Sequence, residues 1–407
     1  MHFMKTQNET AGLPERLRIA LVTETYTPEI NGVAITIGRM VQGLCGRGHE
    51  IHLIRPRQHR DDSAARETNY RETLTRGMPI PGYPELKSGL PAKGMLLRQW
   101  QAERPDIVHI ATEGPLGWSA LAAAKKLTIP VSTDFHTNFH SYTQHYGIGL
   151  LKWPIAAYLR HFHNRAACTL VPTHELQKQL AEDGYRNVEV VSRGVDTELF
   201  TPERRSTELR ASWGADEKTL VVMLVSRLAA EKNLDLAVNA YYRMRSVNPD
   251  VMMVLVGDGP ERERLQKQHP GIIFVGMQKG ERLAEHYASG DIFIYPSQTE
   301  TYGNVTIEAM ASGLATIAYD YDAARQHIVQ DVSGVLVPMG DEQTFILQAT
   351  LLIADNERIA RLRRAAHEAV KLQSWDHIMC QMETMLFKTL RTEGGAHAQP
   401  EFAAATD

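Results

Sequence analysis

Short apolar segments of strand length alternate with helix-length segments along the chain, and the pattern starts again near residue 220. The first two strand segments, Arg18–Thr23 and Glu50–Arg55, flank a helix that ends before Gly46 and Gly48. Leu220–Val225 opens the second series. Strand–helix–strand alternation builds parallel sheets covered by helices, so the sequence predicts an α/β protein with two doubly wound, Rossmann-like domains facing across a cleft. Further strands are predicted at 106–110, 130–133, 168–172, 188–192, 251–256, 272–275, 291–295 and 314–318.

The predicted domain boundaries follow this pattern. We expect an N-terminal domain at 17–195 and a C-terminal domain at 196–372. A last helix, at 373–391, is expected to pack back toward the N-terminal domain. The polar segment 57–75 is predicted to be a mobile loop. Two terminal segments are predicted to be disordered, 1–16 and 392–407.

Composition indicates a reducing compartment. The three cysteines, Cys45, Cys168 and Cys380, are far apart and show no metal-binding spacing. No apolar run reaches the ~18 residues that a membrane span needs, and the N-terminus lacks the apolar core of a signal peptide. We therefore expect a cytoplasmic protein, with peripheral attachment to the inner face of the membrane left open.

The net charge differs between the two halves of the chain. Residues 1–195 hold 23 Lys and Arg against 18 Asp and Glu, a net charge of +5. Residues 196–407 hold 21 against 30, a net charge of −9. This asymmetry suggests that the first half meets an anionic partner, although domains also differ in charge by chance. Nothing in the pattern indicates nucleic acid.

Two glutamates bracket the start of a predicted helix in the second half. Glu300 follows the buried strand Asp291–Pro296, and Glu308 lies one turn into a helix that begins at Asn304 and ends at Gly313. Free backbone N–H groups at a helix start suit a phosphate, and the two carboxylates could accept hydrogen bonds from hydroxyls on either side of it. The arrangement suits a nucleotide sugar, although two glutamates at this spacing are common.

Two cations and a histidine follow other predicted strands. Arg227 and Lys232 lie after Leu220–Val225, where they would either neutralise a diphosphate or form an ordinary solvated pair. His136 follows the strand at 130–133, where open α/β sheets bind ligands, and a core histidine is the alternative. The chain lacks the G-x-G-x-x-G turn of dinucleotide-dependent oxidoreductases.

In combination, these motifs resemble those of the retaining glycosyltransferases of family 4, which have the GT-B fold. The resemblance covers roughly residues 17–390 and rests on Glu24-x-Tyr-x-Pro with Asn31, Gly32 and Val33, on Phe135–Thr137, Gly194–Asp196, Ser226, Arg227, Glu231, Lys232, Gly257–Pro260 and Glu300 with Glu308. Segments 23–33, 135–147 and 192–200 resemble a branch that contains α-mannosyltransferases and the sulfoquinovosyl and glucosyl transferases that act on diacylglycerol lipids.

The resemblance implies a role for each matching residue. Glu300 would bind the donor-sugar hydroxyls, and Glu308 the ribose hydroxyls. Arg227 and Lys232 would hold the diphosphate and stabilise its charge as it leaves. The anomeric configuration would be retained without a protein nucleophile. Further donor-binding positions are implied at Val33, Gly257, Tyr302, Gly303, Asn304 and Val305.

Two residues of the first half complete the implied site. His136 would sit beside the donor sugar as a fourth catalytic residue, and Gly32 would line the reaction centre. The implied donor is a GDP- or UDP-linked sugar, with mannose or glucose as the hexose, and no cofactor.

The chain departs from the family pattern at Arg193, where many relatives have asparagine before Gly-Val-Asp; arginine here fits the lipid-related branch. Asp320 and Asp322 look like the D-x-D metal motif of a different glycosyltransferase fold, but no catalytic metal is expected in this one.

Two other functions stay open from the sequence: a sugar-nucleotide 2-epimerase of similar two-domain architecture, and a non-catalytic sugar-nucleotide sensor. The pair Arg227 and Lys232, with the spacing of Glu300 and Glu308, favours glycosyl transfer.

An acid-free segment, 135–174, predicts a lipid or lipid-linked acceptor on an anionic membrane surface. Its expected membrane-side residues are Lys152, Trp153, Arg160 and Arg165. A second acid-free segment, 86–102, adds cations together with Leu96 and Leu97, which look exposed. The alternative is a soluble sugar acceptor, with these aromatic residues packed in the core.

Overall fold

The computed structural model describes residues 15–27, 29, 32–59, 61–80, 83–136, 152–300 and 302–396. The chain divides into two compact units. The second unit is Ser192–His377, and the first unit runs to Val191 and resumes at Ile378. Each unit contains one parallel sheet with helices on it. The predicted α/β class with two doubly wound domains is confirmed.

The first unit contains the strands β1 (Arg18–Val22), β2 (Glu50–Pro56), β3 (Tyr70–Thr75), β4 (Gly77–Ile80), β5 (Tyr83–Gly89), β6 (Ile107–Ile110), β7 (Val131–Asp134), β8 (Cys168–Val171) and β9 (Val188–Val190). Seven of them form a parallel sheet in the order β3-β2-β1-β6-β7-β8-β9, whereas β4 and β5 pair antiparallel. The strand order changes direction between β1 and β6. The carboxyl edge at such a switch point is where open α/β sheets bind ligands.

Helices of the first unit pack on this sheet through apolar side chains. They are α1 (Gly32–Gly46), α2 (Lys93–Ala102), α3 (Pro115–Lys126), α4 (Lys152–His163) and α5 (His174–Glu182). One cluster of buried side chains joins β1, β6 and β7 to α2 and α3, with Trp100 and Leu121 among the largest.

Two predictions for the first unit are wrong. Segment 57–75 is not a loop throughout, because Tyr70–Thr75 forms the edge strand β3 and pairs in parallel with β2. The sequence of β3 is polar because an edge strand has a neighbouring strand on one side only. Within β3, Glu72 forms an ion pair with the buried Arg55. Leu96 is not exposed either; it is fully buried beside Trp100, and Leu97 is half-buried against the same cluster.

The second unit repeats the architecture. Its strands are β10 (Val221–Val225), β11 (Met252–Val256), β12 (Ile273–Gly276), β13 (Ile292–Tyr295), β14 (Ala315–Tyr319) and β15 (Val335–Val337), in the parallel order β12-β11-β10-β13-β14-β15. The helices are α6 (Thr207–Ser212), α7 (Leu234–Val247), α8 (Arg262–Gln268), α9 (Gly280–Ser289), α10 (Asn304–Ala311), α11 (Asp322–His327), α12 (Glu342–Ile353) and α13 (Asn356–Ala369). Here the switch point lies between β10 and β13, whose apolar runs are buried on both faces.

The last helix, α14 (Trp375–Ala396), begins in the second unit and continues in the first. Ile378, Met382 and Leu386 are buried, and Glu383 forms ion pairs with Arg47 and His49. The helix extends to Ala396, past Thr392, the first residue of the predicted tail. The lead-in at 1–14 and the tail at 397–407 lie outside the described residues. None of the described helices is long and apolar enough to span a membrane.

A buried carboxylate organises the amino edge of the second sheet. Asp291, 2% exposed, directly precedes β13 and pairs with the guanidinium groups of Arg205, Arg210 and Arg363. It also accepts a hydrogen bond from Val221 N at 2.9 Å, which ties β13 to β10. A desolvated charge is tolerated only with such complete pairing.

Replacing Asp291 with alanine should therefore destabilise the second unit by ~3–5 kcal/mol, because three guanidinium groups lose a buried partner. The matched control is Asp320→Ala, which removes a half-exposed carboxylate from its ion pair with Arg325 and should cost at most ~1 kcal/mol. Urea unfolding followed by tryptophan fluorescence measures both. Equal midpoints for the two variants would contradict this account of Asp291.

Candidate active site

The residues predicted to bind a donor in the second unit lie on loops at the switch point. Arg227 and Lys232 follow β10, and Glu300 follows β13, the neighbouring strand. Lys232 and Glu300 are 68 positions apart in the chain. They meet because adjacent parallel strands end at the same edge of the sheet.

An ion pair joins Lys232 to Glu300. Lys232 Nζ donates to Glu300 Oε1, and it lies 3.3 Å from the Thr299 carbonyl oxygen. Glu300 Oε1 also accepts hydrogen bonds from the hydroxyls of Tyr295 at 2.5 Å and Ser297 at 2.6 Å. The two charged side chains are only 14% and 16% exposed. A pair this poorly hydrated needs additional hydrogen bonds, so three donors determine where Glu300 points.

Tyr295 and Ser297 were missed by sequence reasoning. Burial, together with the nearby Glu300 carboxylate, raises the pKa of Tyr295 well above its ordinary value, which keeps the hydroxyl as a donor. The signal was a tyrosine and a serine on either side of Pro296 at the end of an apolar strand. It is weak because tyrosine at a strand end is more often an ordinary core residue.

Arg227 differs from Lys232 in being exposed, and its guanidinium group has no hydrogen bond or ion pair to another described residue. Its loop is packed against the loop after β11, where Gly257 has a φ of +134° and a Cβ would lie 1.8 Å from the Ser226 carbonyl oxygen. Leu228 N donates to the Asp258 carbonyl oxygen at 2.9 Å. Only glycine allows this close approach, so Gly257 supports the loop that carries Arg227.

The start of α10 lies beside Glu300. Gly303 precedes the helix with a left-handed φ of 92°, and Asn304 and Val305 are its first residues. Glu300 Cγ is 3.6 Å from the position that a Cβ on Gly303 would occupy. The first N–H groups of a helix lack intrahelical partners and can bind an anion. These backbone groups lie next to the Lys232–Glu300 pair.

Glu308 occupies the second turn of α10 and is partly buried. The Tyr287 hydroxyl donates to Glu308 Oε2 at 3.0 Å. Burial raises the pKa of Glu308 to about 7, although the Tyr287 hydrogen bond acts in the opposite direction. The carboxyl group is therefore about half ionised at neutral pH, and hydrogen-bond donors such as ribose hydroxyls would favour its ionised form.

Tyr302 is buried, and its hydroxyl already has partners within the second unit. It lies 2.6 Å from His327 Nε2 and 2.9 Å from Ser192 Oγ, and it donates to the Arg193 carbonyl oxygen at 3.4 Å. Tyr302 thus ties the loop before α10 to the segment that enters the second unit. If Tyr302 contacts the donor sugar nucleotide, it does so through its backbone.

The remaining predicted residues belong to the first unit. Gly32 begins α1, is exposed, and has nothing within 4 Å of a Cβ placed on it; Val33 follows it. His136 lies two residues after β7, with Nε2 3.1 Å from Asp134 Oδ2. Asn31 and the segment 137–151 lie outside the described residues.

The expected membrane-side residues lie on or just after α4. Trp153 is 83% exposed, and Arg160 is exposed on the same side of the helix, two turns on. Arg165 is exposed, with its guanidinium 5.9 Å from the Trp118 ring. Phe162 is fully buried, so one aromatic residue of this segment does pack in the core. Nothing is described of the Lys152 side chain.

The D-x-D segment is built into the start of α11. Asp320 Oδ1 accepts a hydrogen bond from Arg325 Nε at 2.9 Å, and Asp322 is the first residue of the helix. Across the described residues, no cluster of three or more His, Cys, Asp or Glu could hold a metal ion. Metal independence stays a prediction.

Comparison with known proteins identifies the class. The sequence-family model "Glycosyltransferase Family 4" matches residues 30–199, and the family model "Glycosyl transferases group 1" matches residues 205–369. A GDP-mannose-dependent alpha-mannosyltransferase of Mycobacterium tuberculosis is 33% identical over 88% of this chain and 93% of its own length. An alpha-monoglucosyldiacylglycerol synthase of Acholeplasma laidlawii is 28% identical over 77% of this chain and 83% of its own length.

The fold matches solved structures as well. The sucrose-phosphate synthase of Thermosynechococcus elongatus has a TM-score of 0.74 and 18% identity, covering 93% of this chain and 100% of that one. The chain is a retaining glycosyltransferase with the GT-B fold. It belongs to glycosyltransferase family 4, and this membership favours hexosyl transfer over the epimerase and sensor alternatives.

Changing Glu300 to glutamine should leave the fold intact and lower kcat at least about tenfold, because a charge-assisted hydrogen bond contributes ~1.5–3 kcal/mol. Steady-state transfer assays and circular dichroism measure both effects. Glu308→Gln is the contrasting variant, and it should mainly weaken nucleotide binding. Full activity in folded Glu300→Gln protein would remove Glu300 from the reaction.

Alanine at Arg227 or Lys232 should weaken binding of the nucleoside diphosphate product and lower kcat, since each variant removes a cation that would neutralise the diphosphate. The two variants should differ in stability, because Lys232→Ala leaves the Glu300 carboxylate without its cation, whereas the Arg227 guanidinium has no partner among the described residues. Isothermal titration and thermal unfolding report the two effects. Lys267→Ala, at an 81% exposed side chain, is the control. Unchanged product affinity in both variants would place these cations outside the site.

Proposed function

We propose that the chain transfers a mannosyl group from GDP-mannose to a hydroxyl of a lipid or glycolipid acceptor, with retention of configuration. The observation that carries the proposal is the Lys232–Glu300 pair beside the start of α10, with Glu308 one turn along. The similarity to GDP-mannose-dependent alpha-mannosyltransferases over 88% of the chain supports this donor.

Each part of the donor has a matching group in the second unit. Arg227, Lys232 and the N–H groups at the α10 start would bind the diphosphate. Glu300, held by Tyr295 and Ser297, would accept hydrogen bonds from the hexose hydroxyls. Glu308 would accept them from the ribose.

The proposed reaction breaks the bond between the anomeric carbon and the diphosphate oxygen and forms a bond from that carbon to the acceptor oxygen. The two cations stabilise the charge that develops on the leaving diphosphate. The diphosphate takes the acceptor proton on the face from which it departs, so the configuration is kept and no protein nucleophile is required.

A binding screen followed by a transfer assay tests the donor and acceptor. Thermal shifts are measured with GDP-mannose, UDP-glucose and UDP-galactose, because a bound ligand stabilises the fold by RT ln(1 + [L]/Kd). GDP-mannose should give the largest shift. Transfer is then compared between a diacylglycerol or glycolipid acceptor in vesicles and free monosaccharides. A larger shift with a UDP-sugar, or transfer to free sugars alone, would overturn the donor or the acceptor assignment respectively.

We further propose that α4 brings the first unit onto an anionic membrane. Trp153 and Arg160 stand on one exposed side of this helix; Ile155 and Tyr158 are also exposed, at other positions around it. Exposed aromatic and basic side chains on one helix are typical of interfacial binding. The lipid acceptors named for several relatives support this surface as the acceptor side.

The titration of Glu308 predicts a pH-dependent affinity. Its pKa of about 7 in the free protein means that binding below pH 7 must expel a proton, because ribose hydroxyls donate to the ionised form. Affinity for the nucleoside diphosphate should fall about tenfold for each pH unit below 7 and level off above it. Glu308→Gln should bind more weakly and lose this dependence. Calorimetric titration between pH 5.5 and 8.5 measures it, and parallel profiles for the two proteins would contradict it.

Membrane docking predicts that the protein sediments with vesicles that contain anionic lipid at low salt and is released at high salt. Trp153→Ala with Arg160→Glu should abolish sedimentation without affecting the fold, since both side chains are exposed. The matched control is Leu372→Ala with Lys267→Glu, an exposed apolar and an exposed basic residue of the second unit. Protein that stays in the supernatant at low salt would rule out docking.

A further inference from the structure

Two histidines and a buried aspartate meet at the carboxyl edge of the first sheet. His109 on β6 is opposite Ser132 on the parallel strand β7, and Asp134 ends that strand. Side chains alternate along a strand, so Ser132 and Asp134 point to the same face as His109. His109 Nδ1 is 2.9 Å from Ser132 Oγ.

The Asp134 carboxylate lies between two imidazoles. Its Oδ2 is 3.1 Å from His136 Nε2 and 3.6 Å from His109 Nε2. Asp134 is 1% exposed and His109 is fully buried. Burial opposes ionisation of Asp134, but the two histidines outweigh it and hold the pKa of Asp134 well below its ordinary value. The site therefore contains a buried anion that lies beside two histidine rings.

This contact determines how the His136 ring is turned. Nε2 faces the buried carboxylate, so the opposite edge of the ring, with Nδ1, faces away from Asp134. A carboxylate beside one ring nitrogen sets the tautomer and the orientation of an imidazole. A buried charge adds little to stability compared with an apolar side chain of similar size, so stability alone gives no reason for an anion here.

We propose that Asp134, backed by His109, is a positioning residue for the transfer reaction: it holds the His136 imidazole in the one orientation that the reaction uses. The inference rests on the proposed function and on His136 being a catalytic residue of that reaction, a role that so far only the family resemblance implies. Asp134 itself touches no substrate and acts only through His136.

The test is a double-mutant cycle with Asp134→Asn, His136→Ala and the double variant, using GDP-mannose as donor. Asp134→Asn keeps the shape of the side chain and removes its charge. It should lower kcat about 10- to 100-fold, the loss expected when a group beside the reacting centre is misplaced. Affinity for GDP, which lacks the sugar, should stay unchanged. The double variant should be no slower than His136→Ala, because Asp134 has no effect without His136.

The matched control is His163→Gln. His163 is equally buried at the same sheet edge, but it lies 2.9 Å from Thr133 Oγ1 and 3.2 Å from Glu113 Oε1 instead of facing Asp134. This variant should affect thermal stability and leave kcat unchanged. If Asp134→Asn does not fold, His109→Gln takes its place, with a loss of kcat that disappears in the His136→Ala background.

The possible outcomes distinguish failure of the proposed function from failure of the positioning role of Asp134. No transfer by the wild-type protein with any nucleotide sugar defeats the proposed function, and normal transfer by His136→Ala removes the premise about that residue. If His136→Ala is impaired while Asp134→Asn, or its His109→Gln substitute, keeps full kcat, the positioning role alone is overturned. Additive losses in the double variant also overturn it.

Discussion

The ion pair between Lys232 and Glu300 is the interaction on which the donor site depends. It joins the loops that follow β10 and β13, and these loops carry Arg227, Lys232 and Glu300, which are expected to meet the diphosphate and the sugar. Because both side chains are largely removed from water, the pair persists only with the hydroxyls of Tyr295 and Ser297 on the same carboxylate oxygen. The cation and the anion are thus oriented before a ligand arrives. A diphosphate bound as proposed would not have to order a flexible side chain at Lys232, because the ammonium group is already in place.

The two edges of the second sheet use carboxylates in opposite ways. At the amino edge, Asp291 is surrounded by three guanidinium groups, and its role is to hold strands and helices together. At the carboxyl edge, Glu308 has a tyrosine hydroxyl as its partner, and burial raises its pKa to about 7. Protonated Glu308 contributes stability that is complete below the ordinary value of 4.5 and is lost as the pH rises through 7. At neutral pH the fold therefore carries a carboxylate whose ionised form a ligand can stabilise, and such strain is a common feature of binding sites.

Both units follow the same construction rule with different residues. In each sheet the strand order reverses, between β1 and β6 in the first unit and between β10 and β13 in the second, and the functional residues follow strands of the carboxyl edge. The second unit supplies the cations and carboxylates that suit a nucleotide sugar. The first unit supplies Gly32, the buried His136–Asp134 contact and the exposed side of α4, which suit a sugar and a lipid surface.

The sequence by itself determined the fold class, the repeated α/β pattern, the placement of Arg227, Lys232 and Glu300 after strands, and that of Glu308 in the next helix. It could do so because burial on both faces makes parallel strands readable as short apolar runs. It failed for β3, an edge strand whose polar side chains resemble a loop, and for Leu96, whose burial depends on α2 packing against α3. Only the tertiary structure decided which strands are neighbours, and hence that Lys232 pairs with Glu300 across 68 positions. It alone showed that Tyr295, Ser297 and Asp134 contact site residues and that Glu308 titrates near neutrality, because burial and cross-strand contacts are properties of the packed chain, and no local pattern in the sequence encodes them.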